Sequence, residues 1–144
     1  MNDQRLADQG ALLLRVALAA VFISHSVYLK LFVFTLPGTA QFFQSLGLPA
    51  ALAYGVFLAE AVGGIALLLG VWTRWVALGL VPITLGATWA HLGNGWLFTN
   101  QGGGWEYPLF LVVALLVQAL IGDGAYALRR SPALAAAPAH AARA

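Results

Sequence analysis

The sequence contains no cysteine and very few charged residues. Without cysteine the chain cannot form disulfides, bind a metal through thiolates, hold an iron–sulfur cluster by cysteine or carry out dithiol redox chemistry. Charged residues make up 8% of the 144 positions and hydrophobic residues 61%. A soluble globular domain has about 25% charged residues and is about half apolar, so this composition excludes that class. It indicates an integral membrane protein in contact with lipid, and it gives no footprint for nucleic acid.

Cofactor and nucleotide motifs are absent as well. There is no Walker loop, nucleophile elbow or haem-attachment sequence, and the glycines at 102–104 follow no strand and so predict a loop. The N-terminal segment, residues 1–9, lacks the basic region and cleavage site of a secretory signal. The first apolar stretch is therefore predicted to stay in the mature protein.

Four apolar segments are candidates for membrane-spanning helices. A bilayer core about 30 Å thick requires roughly 20 residues of α helix. Each segment is apolar on all sides, which is typical of a helix in lipid, and proline, glycine and polar residues separate the segments. The predicted spans are about 11–34, 48–71, 75–92 and 107–121, joined by loops at 35–47, 72–74 and 93–106. The sequence predicts an all-α integral membrane protein, with an antiparallel four-helix transmembrane bundle over residues 1–130 and a disordered cytoplasmic tail at 131–144.

The positive charges predict the orientation of this bundle. With four spans, the N-terminal segment, the 72–74 turn and the C-terminal tail share one side of the membrane, and that side carries Arg5, Arg74, Arg129, Arg130 and Arg143. The loops on the other side contain no lysine or arginine. Because cytoplasmic loops are enriched in these residues, both termini are predicted to be cytoplasmic, in a bacterial inner membrane.

Six ionisable residues fall inside the predicted spans or at their edges: Arg15, His25, Lys30, Glu60, His91 and Glu106. Such residues cost several kcal/mol in lipid and are candidates for a ligand-binding or proton-transfer site. At ~1.5 Å rise per residue, Arg15 and Glu60 lie in the inner half, about 6–8 Å and about 12 Å from the cytoplasmic surface. The two histidines share a level at about 22–24 Å. Lys30 and Glu106 lie near the outer surface. The expected contacts are thus Arg15 with Glu60, His25 with His91, and Lys30 with Glu106.

Structural explanations remain open for the same residues. Arg15 and Lys30 can extend along the helix to the membrane surface. Glu60 can have the purely structural role of pairing with Arg15. Both histidines can be packing residues. A His/His/Glu metal site lacks any HxxH or ExxH spacing, so no metal site is assigned. The glycines at 63 and 64, beside Glu60, are predicted to let a neighbouring helix approach closely.

An ordered set of motifs resembles the DoxX family over about residues 12–128. The motifs are Leu14–Leu18, Phe22–His25, Lys30–Phe32, Leu46–Pro49, Ala59–Gly64, Leu69–Arg74, His91–Gly95 and Gly103–Leu109. The chain departs from the family at Ser26, where glycine is frequent. It departs again at residues 126–128, where serine-leucine-aspartate is common. Neither departure touches the six ionisable residues.

The resemblance implies a four-helix inner-membrane protein, and some members of the family are linked to membrane oxidoreductase systems, including a thiosulfate:quinone oxidoreductase and a mycobacterial redox complex. The leading hypothesis is a membrane subunit of a redox or quinone-linked system. It would bind a quinone or another small ligand in the polar pocket and assemble with redox partner subunits or with itself. The alternatives are a non-enzymatic membrane scaffold or assembly partner, and a path for a small solute or proton. The sequence does not identify the chain as an enzyme by itself, and quinone is the cofactor to test.

Overall fold

The computed structural model describes residues 2–134, and this part of the chain is helical without β strands. Five α helices follow one another: α1 at Asp3–Ile23, α2 at Leu36–Ser45, α3 at Ala50–Leu69, α4 at Thr73–His91 and α5 at Glu106–Ile121. A π-helical stretch, Ser24–Val33, continues α1, and a short 3₁₀ turn, Leu92–Asn94, follows α4. The predicted tail from residue 135 onward lies outside the described residues.

Three helical segments are long and apolar enough to cross a membrane: Asp3–Val33, Ala50–Leu69 and Thr73–Asn94. The segment Glu106–Ile121 is equally apolar in character but has only 16 residues. At ~1.5 Å per residue it is about 24 Å long, which is shorter than the hydrocarbon core of a typical bilayer. The structure therefore bears out three of the predicted spans as helices of sufficient length, and it places a shorter apolar helix at the fourth.

The prediction of a loop at 35–47 was wrong, because most of it is the helix α2. Thr35 has a φ of 63° and ends the first helical segment, and its hydroxyl oxygen then accepts a hydrogen bond from the Gly38 amide at the start of α2. Pro37 lies in the first turn of α2, where the missing N–H has no helical acceptor to lose. The motif Leu36-Pro37-Gly38 thus begins a helix as well as ending the preceding one.

The π-helical winding of Ser24–Val33 has a local cause in its first residues. The His25 ring nitrogen Nδ1 bonds the Val21 carbonyl at 2.9 Å, and the Ser26 hydroxyl donates to the Phe22 carbonyl at 2.7 Å. Both carbonyls lie four residues back and would otherwise accept only backbone amides. Side chains that take these carbonyls weaken the i→i−4 ladder and favour the wider winding.

Glycines at 63 and 64 bring α3 close to two other helices, as the sequence predicts. A methyl group at Gly64 would contact Ile23 of α1, and one at Gly63 would contact Leu80 of α4, in each case at 2.9 Å. Around this point, α1 contacts α3 and α5, while α4 contacts α3 and α5. The common core consists of buried apolar residues: Leu18, Ala19, Phe22, Leu67, Ala77, Leu80, Leu111, Ala114, Leu115 and Ala119.

The molecule has two polar ends. The hairpin end comprises the α3–α4 turn (residues 70–72), the last turn of α5 and the segment 122–131. This segment hydrogen-bonds to the α3–α4 turn. The loop end comprises α2 and the segment 92–105 between α4 and α5. The apolar helices run between these ends.

Candidate functional site

A lysine–glutamate ion pair joins the first helical segment to α3 in the middle of an apolar stretch. The Lys30 ammonium lies 2.5 Å from Oε2 of Glu60. The two side chains are only 18% and 9% exposed, so water and lipid have little access to the pair. It is the one salt bridge found between residues 2 and 134. Lys30 is also the only lysine of the chain.

This contact corrects two of the predicted pairings, Arg15 with Glu60 and Lys30 with Glu106. The depth estimate placed Lys30 near the membrane surface because it assumed α-helical rise throughout. The π-helical stretch has a smaller rise, which brings Lys30 slightly deeper, and the length of the lysine side chain adds to its reach, so the ammonium contacts Glu60, ten residues into α3. Glu60 is therefore neutralised by lysine, and Arg15 has other partners.

Arg15 binds the segment that follows α5. It is 1% exposed, and its guanidinium donates to the carbonyl oxygens of Asp123 and Ala125, the first at 2.5 Å and the second at 3.2 Å. Carbonyl acceptors satisfy the terminal nitrogens, whereas Nε has no partner among the described residues. Arg15 thus fastens the segment 122–131 against the helices at the hairpin end.

Asp123 completes this polar cluster and is not among the six ionisable residues that the sequence singles out. One carboxylate oxygen accepts from the Thr73 amide and from the Ser131 hydroxyl, at 3.2 and 2.6 Å, and the other accepts from the Ser131 amide at 2.9 Å. Gln118, which is fully buried, donates to the carbonyls of Ala11 and Gly122. A lone aspartate between two glycines after an apolar helix was the available signal.

The hydrogen bonds to Asp123 outweigh its burial in setting the pKa. Burial raises the pKa of this carboxyl, but the donors on Ser131 and Thr73 lower it further, and the net pKa lies below the ordinary value. A depressed carboxyl pKa means that the ionised group stabilises the fold above its unfolded pKa of about 3.9. This contribution disappears as the pH falls through the folded pKa.

Asp123→Asn is therefore expected to lower the free energy of unfolding at pH 7 by about 1.5–3 kcal/mol, the usual range for hydrogen bonds to a charged group. The difference between variant and wild type should shrink as the pH is lowered through and below the Asp123 pKa, because the wild-type carboxyl then becomes neutral too. Thermal unfolding in detergent from pH 3 to pH 8 measures both effects. Asp8→Asn, whose carboxylate accepts from Gln4 of its own helix, provides the control, and a gap that stays constant down to pH 3 would contradict the assignment.

The two predicted pocket histidines have separate partners. His25 uses Nδ1 to bond its own helix, which leaves Nε2 unengaged by that contact, and its ring stacks on Tyr107 of α5 at 6.2 Å between ring centres. His91 bonds the carbonyls of Gly103 and Gly102 through Nδ1, at 2.9 and 3.1 Å. The expected contact between His25 and His91 is not found. Equal depth along two helices does not fix the direction in which each ring points, and local carbonyls bind both rings.

Glu106 and the segment 92–105 form a compact structure at the loop end. The Glu106 carboxylate Oε1 accepts from the Phe98 amide at 2.8 Å, and the Glu106 amide donates to the Trp96 carbonyl. Asn94 donates to the carbonyls of Gly102 and Gly103, alongside His91. The structure thus distributes the six predicted site residues over three places: Arg15 at the hairpin end, Lys30 with Glu60 between the helices, and His25, His91 and Glu106 toward the loop end.

Within residues 2–134, only the Lys30–Glu60 pair places two oppositely charged side chains in contact in the apolar region. It can exchange a proton between amine and carboxylate, and it can offer a donor and an acceptor to a ligand oxygen. No group of three or more histidine, aspartate or glutamate side chains is arranged to hold a metal ion within the described part of the chain. What the pair supports is proton transfer or hydrogen bonding in an apolar environment.

Three long apolar helices and an ion pair between them define a multi-pass helical membrane protein. The chain belongs to the DoxX family, whose sequence profile matches residues 10–93. This match includes most of α1, all of α2, α3 and α4, and both residues of the Lys30–Glu60 pair, and it ends before α5.

Two curated sequences are similar to the chain. The putative oxidoreductase CatD of Bacillus subtilis is 38% identical over 78 residues, which covers 54% of this chain and 56% of CatD. The chain therefore spans little more than half the length of this relative. The inner membrane protein YqjF of Escherichia coli is 29% identical over 129 residues, covering 88% of this chain and 95% of YqjF. No solved structure matches the chain.

Proposed function

We propose that this protein is an integral inner-membrane subunit of a redox system and that it binds a quinone, or a small ligand of similar chemistry, beside Lys30 and Glu60. The observation that carries the proposal is the ion pair itself. Two opposite charges are kept in an apolar environment where a single charge would be costly, and both belong to side chains that can give or take a proton.

The surroundings of the pair support a ligand with carbonyl or hydroxyl oxygens. The ammonium of Lys30 can donate a hydrogen bond to a quinone carbonyl oxygen. Glu60 can accept one from the hydroxyl that forms when the quinone is reduced. The π-helical stretch that presents Lys30 supports the same proposal, since such distortions are frequent at functional sites. The name of CatD, putative oxidoreductase, and that of YqjF, inner membrane protein, agree with a redox role in this membrane.

The proposed topology has four crossings in an antiparallel bundle, with α5 as the fourth and both termini in the cytoplasm. Its support is the distribution of charge. Arg74, Arg129 and Arg130 lie at the hairpin end, whereas residues 35–47 and 92–106 at the loop end contain no lysine or arginine. Arg74 also binds the carbonyls of Ala119 and Leu120 at the end of α5, a favourable place for a cation.

The test is quinone binding by the purified protein in lipid nanodiscs, with decylubiquinone as the probe and tryptophan quenching as the signal. Wild type is expected to bind the probe, and Lys30→Met/Glu60→Met is expected to bind it at least about tenfold more weakly, a loss of ~1.4 kcal/mol. The double variant is chosen because it removes the pair without leaving one charge alone. Asp8→Asn, far from the pair, serves as the matched control.

Two outcomes would contradict the proposal. If wild type binds no quinone and no redox partner co-purifies with it, the redox assignment fails. If the double variant binds as well as wild type but unfolds more easily, the ion pair is a structural contact between helices. The chain would then fit the role of a membrane scaffold. Proton or solute flux in liposomes would instead support a transport path.

A further inference from the structure

A groove of about 500 Å³ runs along the loop-end half of α5, separate from the Lys30–Glu60 pair. Its wall on one side comes from the segment 92–105 and on the other from the first two turns of α5. This volume is within the range of small-molecule sites in proteins. The lining consists of Trp96, Phe98, Glu106, Tyr107, Leu109, Phe110 and Val113. All of these residues lie outside the part of the chain that the DoxX profile matches.

Four of the lining residues are aromatic, and three of them have defined contacts with neighbouring residues. The Trp96 ring packs edge-on against Trp105, with 4.4 Å between ring centres. The Phe98 backbone is bonded to the Glu106 carboxylate, and the Tyr107 ring stacks on His25. The Trp96 and Tyr107 rings are therefore held in place before any ligand arrives, which lowers the entropy cost of binding.

The groove also carries a negative charge that the nearby residues do not balance. Glu106 is the single ionisable carboxylate in the lining, and its Oε1 accepts one amide hydrogen bond while no partner for Oε2 is found within residues 2–134. Lys30, the only lysine of the chain, is already paired with Glu60. Residues 35–47 and 92–106 contribute no lysine or arginine.

Aromatic faces and a carboxylate together are complementary to one kind of ligand. The negative face of an aromatic ring attracts a cation, most strongly where water is excluded, and a carboxylate adds direct charge attraction. We propose that this groove binds a hydrophobic organic cation, such as a quaternary ammonium or phosphonium compound with apolar substituents. Phe98 and Phe110, 63% and 65% exposed, leave the groove open along its side, so a cation dissolved in the membrane interface can enter laterally.

The experiment compares two probes of the same shape and opposite charge, tetraphenylphosphonium and tetraphenylborate. Equilibrium dialysis against the protein in nanodiscs, corrected with empty nanodiscs, gives the amount bound to each variant. Wild type is expected to bind the cation more tightly than Glu106→Gln by about tenfold, equivalent to ~1.4 kcal/mol. Glutamine keeps an oxygen for the Phe98 amide, so this change removes the charge and leaves the loop contact in place.

A second variant tests the aromatic wall independently of the charge. Phe110→Leu keeps an apolar side chain on an exposed surface and is expected to weaken cation binding by about threefold, in line with one cation–π contact. Phe42→Leu on α2 and Asp8→Asn on α1 are the matched controls, with no change expected. The proposal would be overturned if wild type and Glu106→Gln bound the cation equally, or if wild type bound the borate anion as tightly as the cation. The groove would then be a lipid-binding surface.

Discussion

Lys30→Met and Glu60→Met are each expected to destabilise the protein by about 2–4 kcal/mol, whereas the double variant should lose clearly less than the sum of the two. Each single change leaves one charge in an apolar environment without its partner, and that uncompensated charge accounts for most of the cost. The expected loss of stability is smaller than for a fully buried ion pair, because the Lys30 side chain is 18% exposed and can extend toward the surface.

The measurement is a double-mutant cycle by SDS unfolding in mixed micelles, with wild type, both single variants and the double variant. A coupling free energy of at least about 1 kcal/mol would show that the two side chains act as a pair. Leu31→Met, next to Lys30 but 38% exposed and uncharged, controls for the new methionine. Single effects that simply add in the double variant would mean that the charges do not interact, and the proposed site would lose its basis.

The four apolar helices, unlike α2, could be predicted from the sequence because hydrophobicity and helix length are local properties. The predicted starts of α3 and α4 and the predicted end of α5 lie within two residues of the observed boundaries, which are Ala50, Thr73 and Ile121. The N-terminal helix begins earlier than predicted, at Asp3, since Asn2 caps it by accepting from the Arg5 amide. Hydrophobicity does not register that cap, because the first turns of α1 are polar.

The contacts of the ionisable residues could not be predicted in the same way. The depth count assumed one helical rise, and the π-helical stretch changes the level at which Lys30 meets α3. Arg15 was paired with Glu60 because the depth count placed both residues in the inner half, yet its acceptors are backbone carbonyls of the segment after α5. Carbonyls are present at every residue, so no sequence pattern identifies which of them a side chain will reach.

The identity of the DoxX family and the membrane class were thus predictable, whereas the internal geometry was not. The prediction of six polar residues in matched layers yielded one ion pair and two local histidine contacts. Asp123 was the missed residue, because its donors come from Thr73, which is distant in sequence, and from Ser131, which lies beyond the predicted end of the helical domain. The sequence analysis had placed Ser131 in the tail, while the structure describes it bonded to that carboxylate.

Gly70→Ala is expected to cost about 3 kcal/mol, the second of the two largest effects. Gly70 ends α3 with a φ of 68°, a left-handed conformation that costs an alanine about 1–2 kcal/mol. A Cβ atom at this position would also overlap the Arg15 guanidinium and lie 2.7 Å from the Cα of Ala127. Neither neighbour can move freely, because Arg15 is buried and Leu128 and Arg129 are bonded to residues 69 and 70.

Two comparisons separate the causes of this loss. Gly79→Ala, in the middle of α4 with open space around it, should leave stability unchanged or raise it by less than about 1 kcal/mol. Gly70→Asn tolerates the left-handed backbone but still carries a Cβ atom, so it measures the overlap with little of the backbone strain. If Gly70→Asn and Gly70→Ala are equally destabilising, the overlap of the Cβ atom with Arg15 accounts for most of the loss of stability.

The same variants reveal whether Arg15 fastens the segment 122–131 to the hairpin end. Trypsin cleaves after arginine, and Arg129 and Arg130 lie in that segment, next to the backbone bridge between Val71 and Arg129. Gly70→Ala is expected to displace Arg15, loosen the segment and raise the rate of cleavage at these two sites at least about fivefold, the effect of ~1 kcal/mol of lost protection. Gly79→Ala should be cleaved at the wild-type rate. Unchanged cleavage in Gly70→Ala, together with reduced stability, would show that the segment is held by Asp123 and Ser131 alone, and Arg15 would then act within the helices.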